Sequence, residues 1–537
     1  MVYHDYKFLY VGSVKGIQEY IFRVSKLKYI IGATELIEDL REELKTLLKK
    51  LGFKEQDYYI IQLAGGNARI LFKEKDKALQ FMEIWPLLVR QYAPGIKYVQ
   101  ALAERKDNSF KATIDKVEQE IRANRNINYP DLPPAEPIVG RHRRTGLPLG
   151  SVLYKTGSQD EEELYPDRET LKKLQKTDHG REALAERIGL NDRWSDKTWT
   201  REFDKIAPKP GQYMAVIHAD ANKLGKTIAD ALGHIQKTRS DDAAIEFSKK
   251  LTDIIENVTQ ESLKTALAPI VDSCESKEIP ARVIVCAGDD MTIVLPAENA
   301  IEFTVKYLNT FQAEFSEKIK DIAAENNIHL ELTASAGIAF VKSSYPFAQA
   351  YQLCEEMCSF TKKQLERNHA GLAFHRITTS GVRKYDDIIA TQLTIQQSRG
   401  DSESRIVLNM MPYTIDEVSV DGFPSVSKLL ALVDALGKMS RGSIRELISA
   451  TYRGKAEVDK AFNRILQVAE NRKQKKQELK AFQEALKSFK TEDAPEGLMW
   501  SKANQSAELD GVVSYVYTPL MDALELMAVN SGKKKEN

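Results

Sequence analysis

Cysteine is scarce in this chain, four in 537 residues, so no disulfide framework is expected and a reducing cytoplasm is the expected compartment. Neither sign of charge is in excess: 77 Lys and Arg balance 77 Asp and Glu. That balance excludes an argument from bulk charge for a nucleic-acid coat or a membrane-surface protein, and confines any contact with nucleic acid to local patches. No run approaches the roughly 18 consecutive apolar residues of a membrane span. Residues 1–30 also lack the basic start, apolar core and small-residue cleavage site of a signal peptide. A soluble chain with no membrane partner is expected. At about 150 residues per domain, its length suits three or four domains.

Hydrophobic periodicity orders the first part. Residues 6–11 read as a buried strand, and 33–51 place Leu36, Leu40, Leu44, Leu47 and Leu48 on one helical face. Two short apolar runs, 58–63 and 68–72, flank Ala64-Gly65-Gly66-Asn67, a hairpin signature because Gly and Asn tolerate positive φ. A helix over 75–92 and a strand over 96–103 complete βαββαβ, the ferredoxin-like order. That order recurs about 200 residues later: strand 213–219, helix 242–266, a hairpin of 282–286 and 291–295 turning at Ala287-Gly288-Asp289-Asp290, helix 298–325, strand 329–340 and helix 346–366. Laying one copy on the other sets Gly12 against Asp220 and Gly65-Gly66-Asn67-Ala68 against Ala287-Gly288-Asp289-Asp290. The first copy lacks the acids.

The expected fold class is α+β: two ferredoxin-like (βαββαβ) domains in tandem, an insert between them and an α-helical C-terminal domain. The expected boundaries are 1–105 for the acid-free first copy, 106–210 for a linker and small insert, 211–390 for the acid-bearing copy and 391–537 for the helical domain. The linker holds a Pro-containing stretch from Asn128 to Pro134 and a basic one from Arg141 to Arg144. Gln392 to Ser404 reads as a polar loop, Arg472 to Lys490 as a solvated helix face and Ser531 to Asn537 as a frayed tail.

The acids of the second copy carry the chemistry. In a βαββαβ sheet the end of the first strand lies beside the tip of the central hairpin, so Asp220 is expected to face Asp289 and Asp290. Three carboxylates that close repel unless a cation neutralises them, and hard oxygen donors favour Mg²⁺ or Mn²⁺. Two such ions suit nucleotidyl transfer by in-line displacement. Taken singly, Gly288-Asp289 also fits an ordinary turn, and Asp220 a helix cap or Asx turn. Jointly, both acid sites fall at strand ends in one repeat, in the required order. Cys274, Cys286, Cys354 and Cys358 have no His at ligand spacing and read as structural thiols.

Ala219-Asp220-Ala221-Asn222-Lys223-Leu224-Gly225-Lys226 and Ala287-Gly288-Asp289-Asp290 resemble the first acidic motif and the GGDD hairpin of the polymerase-like large subunit of type III CRISPR effectors, the Cas-ten family, in its Cmr-type, HD-less form. Gly12 to Phe22 resembles that family's opening motif. Ser335-Ala336-Gly337-Ile338 with Cys354 to Lys363 is similar to its strand and Lys-bearing helix. Met411-Pro412-Tyr413-Thr414 and Thr518 to Glu525 resemble the start and end of its helical C-terminal domain. The resemblance implies two palm domains and an ATP-using synthase of cyclic oligoadenylate messengers in antiviral defence. On that implication Asp220, Asp289 and Asp290 are the catalytic, metal-holding acids, assisted by the Ala221 carbonyl. Asn222, Gly288 and Lys362 or Lys363 then serve the nucleotide, and the first palm, with Gly65 and Gly66, walls a second ATP. Implied partners are CRISPR subunits with guide and target RNA.

The chain departs from the family in three places. Ala287 stands where the hairpin usually has its first Gly. His4-Asp5 has no further His ligands near it, so no DNA cleavage through an HD site is expected. The stretch Arg141 to Pro148, matching a cysteine zinc knuckle, has no cysteine, so no structural zinc is expected. The rival expectation is a non-catalytic scaffold or RNA-binding subunit of a type III complex, although such a scaffold would have been free to lose the acids. A homodimeric GGDEF-type diguanylate cyclase fits the chemistry, but not the tandem palms, the helical C-terminus, or Met291 and Asp290 where it would prefer Glu.

Overall fold

The fold was established from a computed structural model, which describes residues 3–64, 66–105, 109–127, 136–151, 153–154, 165–178, 183–209, 211–379, 381, 384–399, 402–416, 422–470, 473–508 and 511–530. Gly65, the Asn128–Pro134 stretch and the Ser531–Asn537 tail lie outside the described residues.

The first unit runs β1 (Phe8–Lys15), α1 (Ile17–Phe22), α2 (Leu27–Lys50), β2 (Tyr58–Ala64), β3 (Asn67–Phe72), α3 (Lys75–Tyr92) and β4 (Lys97–Glu104). Its sheet order is β2-β3-β1-β4, all neighbours antiparallel. The leucines of α2 are buried, as are Phe81, Trp85 and Val89 of α3; each helix turns one apolar stripe to the core. Helix α4 (Phe110–Arg125) begins at Ser109, whose hydroxyl accepts from the Ala112 amide, a standard N-cap.

The insert contributes α5 (Arg168–Asp178) and α6 (Ala183–Arg187). Asp167 starts α5 by accepting from the amides of Glu169 and Thr170, and it takes a hydrogen bond from Thr145 beside buried His142. Buried Lys173 donates to Glu169 and to the Tyr20 carbonyl, both at 2.6 Å. The insert therefore packs on the first unit.

The second unit repeats the plan: β5 (Met214–Ala221), α7 (Asp241–Asp272), β6 (Arg282–Ala287), β7 (Asp290–Pro296), α8 (Ala300–Asn326), β8 (Ala334–Val341) and α9 (Phe347–Gln364). Strands β8-β5-β7-β6 reproduce the order of the first sheet. Both central hairpins carry a register shift in the same place, between Ile60 and Gln62 and between Val283 and Val285. The second sheet also gains β9 (Gly371–Arg376), parallel to β8, a strand the sequence reading did not include.

The C-terminal region is not wholly helical. Within Gln392 to Ser404, read as a loop, strand β10 (Thr394–Arg399) instead pairs antiparallel with β11 (Ser402–Val407). Tyr413–Thr414 forms β12, on the edge of the second sheet. Strand β11 pairs in parallel with β14 (Gly511–Tyr517), which pairs with β13 (Lys502–Glu508), making a four-stranded sheet. Between these strands lie helices Val426–Lys438, Arg441–Thr451, Lys455–Glu470 and Lys473–Lys487, and helix Leu520–Asn530 follows. Asp522 of that last helix is buried and accepts from the Met410 amide and the Tyr413 hydroxyl at 2.8 and 2.6 Å. The two C-terminal motifs thus meet.

No helix of the described residues is long and apolar enough to cross a membrane.

Candidate active site

Strand β5 is the centre of its sheet, and Val216, Ile217 and Ala219 are fully buried. Side chains alternate along a strand, so His218 and Asp220 share one face. Ala219 pairs with Met291 and Ala287 with Asp290, which sets Asp290 beside Asp220 at the end of the sheet. Gly288, at φ +63°, makes the tip, and a Cβ there would meet open space. Asp289 is within hydrogen-bonding reach of Asp220.

Helix α9 lies across this face, and Gly337 is the reason it comes so close. A Cβ on Gly337 would stand 2.8 Å from the Cys358 nitrogen and 2.9 Å from the Cys354 carbonyl carbon. The thiols of Cys354 and Cys358 reach the carbonyls of Val216 and Ser335 at 3.0 and 3.2 Å. They seat the helix on the sheet, and burial pushes the Cys358 thiol up to about 12. In the last turn of α9, Lys362 pairs with Asp220 and donates to the Ala221 carbonyl at 2.9 Å.

The acids differ sharply in proton affinity. Burial would raise Asp220, but the hydrogen bond from Asp289 and the Lys362 ammonium outweigh it and hold the carboxyl below its ordinary value. Asp289 is pushed well above the carboxylate range by burial and by Asp220. Asp290 is pushed up to about 7, first by desolvation and then by Asp220. Its side chain is 51% exposed and lines a cleft. An ionised Asp220, a protonated Asp289 and an ammonium are how adjacent acids settle without another cation. His218 donates to or accepts from Thr292 at 3.3 Å, stands 3.9 Å from Asp290, and is kept neutral by burial.

The cleft is about 360 Å³, and its walls include Tyr351, Glu355 and Arg367 beside Asp220, Asp290 and Lys362. Gln18, from α1 of the first unit, forms part of the same wall. It donates to Glu355 at 2.8 Å and to the Tyr351 hydroxyl at 3.2 Å. Both units therefore line one cleft.

The first unit shows what stands in place of the acids, one residue away from the sequence alignment. Gly12 pairs with Ala68 as Ala219 pairs with Met291, and Ala64 pairs with Asn67 as Ala287 pairs with Asp290. Ser13, not Gly12, is thus the counterpart of Asp220, and Asn67 that of Asp290. Ser13 donates to Asn67 at 2.6 Å and lies 3.3 Å from Arg125.

Of the remaining sequence candidates, Asn222 is buried and spends its side chain on Thr333, Ser335 and the His369 carbonyl. Lys363 is exposed and does not line the cleft. Gly66, at φ +78°, lies close to Val14 and Ile37 of its own unit. The sequence reading gave no role to His218, Gln18, Tyr351, Glu355 or Arg367. Positions 351, 355 and 362 follow helical spacing, a polar stripe legible only once α9 is known to lie over the acids.

Among the described residues no group of three His, Cys, Asp or Glu side chains is arranged to hold a metal ion. The oxygens of Asp220, Asp289 and Ala221 nevertheless have the hard-donor chemistry of a magnesium or manganese site, and the Lys362 ammonium already sits on two of them as a cationic stand-in.

Residues 213–371 match the family model of Cas10/Cmr2, second palm domain. No curated protein sequence matches the chain. Among solved structures it is similar to the Csm1–Csm4 cassette in complex with pppApA, at 14% identity and a TM-score of 0.42, over 68% of this chain and 54% of that one. The cassette in complex with cA4 gives 15% identity and 0.41, over 70% and 56%. The apo cassette gives 14% and 0.41, over 81% and 62%. The chain thus spans little more than half the length of the first of these relatives.

Proposed function

We propose that this chain is a nucleotidyl cyclase that joins ATP into cyclic oligoadenylate messengers for antiviral defence, as a subunit of a type III CRISPR effector with guide and target RNA as partners. One observation carries the reading: Asp220 and Asp290, with Asp289 in reach of Asp220, gather at one end of the second palm, where Asp220 and Asp290 line a cleft whose wall includes Gln18 of the first palm, while Ser13 and Asn67 stand at the positions of Asp220 and Asp290 in the first palm. A pair of binding units with a single acidic centre suits a reaction between two nucleotides, one attacked and one attacking.

In this reaction the 3′-oxygen of one nucleotide forms a bond to the α-phosphorus of the next, the bond to the β-phosphate bridging oxygen breaks, pyrophosphate leaves, and the hydroxyl proton passes to a base. Asp220 and Asp289, with the Ala221 carbonyl, are the residues that would hold Mg²⁺ or Mn²⁺. When bound, such an ion supplies charge neutralisation and polarisation of phosphate oxygens. The chain's own residues do the rest. Lys362 Nζ turns from Asp220 to the triphosphate, Asp290 accepts the hydroxyl proton, and Gln18 and Glu355 orient the nucleotides between the palms.

Mass spectrometry of products from the purified chain, incubated with ATP, GTP, CTP or UTP and Mg²⁺ or Mn²⁺, tests this beside an Asp289→Ala/Asp290→Ala control. Cyclic product from the parent but not the control supports the cyclase and names its base. No product from any nucleotide, with or without guide and target RNA and sister subunits, would leave the palm as a scaffold.

A further inference from the structure

The insert reaches the acidic hairpin through one side chain. Arg187 ends α6, and its guanidinium uses all three nitrogens. Nε and Nη2 meet the two oxygens of Glu38 at 2.7 and 3.3 Å, Nη1 meets Glu256 at 2.7 Å, and Nη2 also donates to the Cys286 carbonyl. Arg41 joins the cluster by pairing with Glu256 at 2.7 Å. Glu38 and Arg41 belong to α2 of the first palm, Glu256 to α7 of the second, and Cys286 to β6, one residue before the Ala287–Asp290 pair that closes the hairpin. The four side chains are only 6–17% exposed, so this is not a solvent-screened surface pair of negligible worth. Two guanidinium groups balance two carboxylates, which leaves no unpaired buried charge.

We propose that Arg187 is a positioning residue that sets the Gly288-Asp289-Asp290 hairpin against the first palm, and so couples the insert to the geometry of the two-nucleotide cleft. A Cβ on Gly288 would meet open space, and beyond the contact of Asp289 with Asp220 the placement of the tip rests on the strand beneath. Arg187 grips that strand at Cys286 while fixed to one helix from each palm. A lysine cannot replace it, because one ammonium lacks the planar fork that serves Glu38, Glu256 and the carbonyl together. A displacement of the insert would pass through this guanidinium to Asp289 and Asp290.

The inference rests on the hairpin being the catalytic one, but its first test does not need catalysis. Backbone hydrogen exchange is measured segment by segment in the parent, Arg187→Lys and Arg187→Ala. Exchange over 285–291 should rise by about tenfold or more in both variants, as the loss of one charge-assisted hydrogen bond implies, with β1 to β4 unchanged. Turnover of ATP should fall in kcat with KM nearly constant, and guanidinium ion should restore part of it to Arg187→Ala. Unchanged exchange at the hairpin, or equal loosening of both palms, overturns the proposal. Should Arg187→Ala fail to fold, Arg187→Lys decides by the same exchange pattern. If the parent makes no product, the exchange result still stands or falls alone.

Discussion

Substituting Gly337 by alanine should cost both stability and turnover, and the structure says why the two go together. The added methyl would sit 2.8 Å from the Cys358 nitrogen and 2.9 Å from the Cys354 carbonyl carbon, whereas ordinary contact begins at 3.4 Å. Both neighbours are helix backbone, which cannot rotate aside as a side chain can. Relief requires α9 to lift off β8 by about 1 Å, an overpacking strain of about 1–3 kcal/mol. The same lift carries Lys362 away from Asp220 and the Ala221 carbonyl, and a misplacement of about 1 Å at a reacting centre costs about 100-fold in rate. Urea denaturation gives the first number, and product formation per folded molecule gives the second. Gly225→Ala, at a site with open space around its Cβ, is the control. A Gly337→Ala chain with parental midpoint and parental turnover would refute the close-approach argument outright.

Lys362→Met should leave the fold intact and lower turnover by about 100-fold or more, the scale of a lost electrostatic contact to the reacting group; a parental rate would remove Lys362 from the site. In the cation-free chain, Asp290 holds its proton to about 7, so the folded state binds more protons than the unfolded state between about pH 4 and 7. This group's contribution is therefore most stabilising in acid and is lost as pH rises through that window. Asp290→Asn should flatten that part of a denaturation profile taken in chelator, and added Mn²⁺ should do the same for the parent; an unaltered slope in both would contradict the assignment. For Asp522, raised well above its ordinary range by burial, Asn keeps the acceptor oxygen and sheds the charge. Asp522→Asn should match or exceed the parent in a neutral urea titration, while Asp522→Ala should fall by about 1–3 kcal/mol through its orphaned donors.

Much of this architecture is legible because its signals are local. Leu36 to Leu48 mark one helix by spacing alone, and glycines between two apolar runs mark each hairpin, so the tandem βαββαβ order follows without tertiary information. The C-terminal sheet is different in kind. Strand β11 is polar, and its partner β14 lies about 100 residues on, with Ser404 paired to Ser514; nothing local in Gln392 to Ser404 reports that pairing. The one-residue slip between Gly12 and Ser13 has a similar cause. Alignment by glycines matched look-alike residues, whereas register depends on which backbone pairs with which. At the site, the acids were readable from their positions at strand ends. Gln18 and Glu355 were not, because their meeting depends on how the two palms dock.

The presence of Gln18 in the same wall as Asp220 has a kinetic meaning. When two halves of a reaction chamber come from separate molecules, the chamber exists only as often as they collide, and its yield per molecule falls on dilution. Here both halves are covalently joined, so the second half is present at an effective concentration set by the intervening chain, whatever the protein concentration. Bringing the two walls of the cleft together is thus a property of a single molecule and needs no encounter with a second copy of the chain.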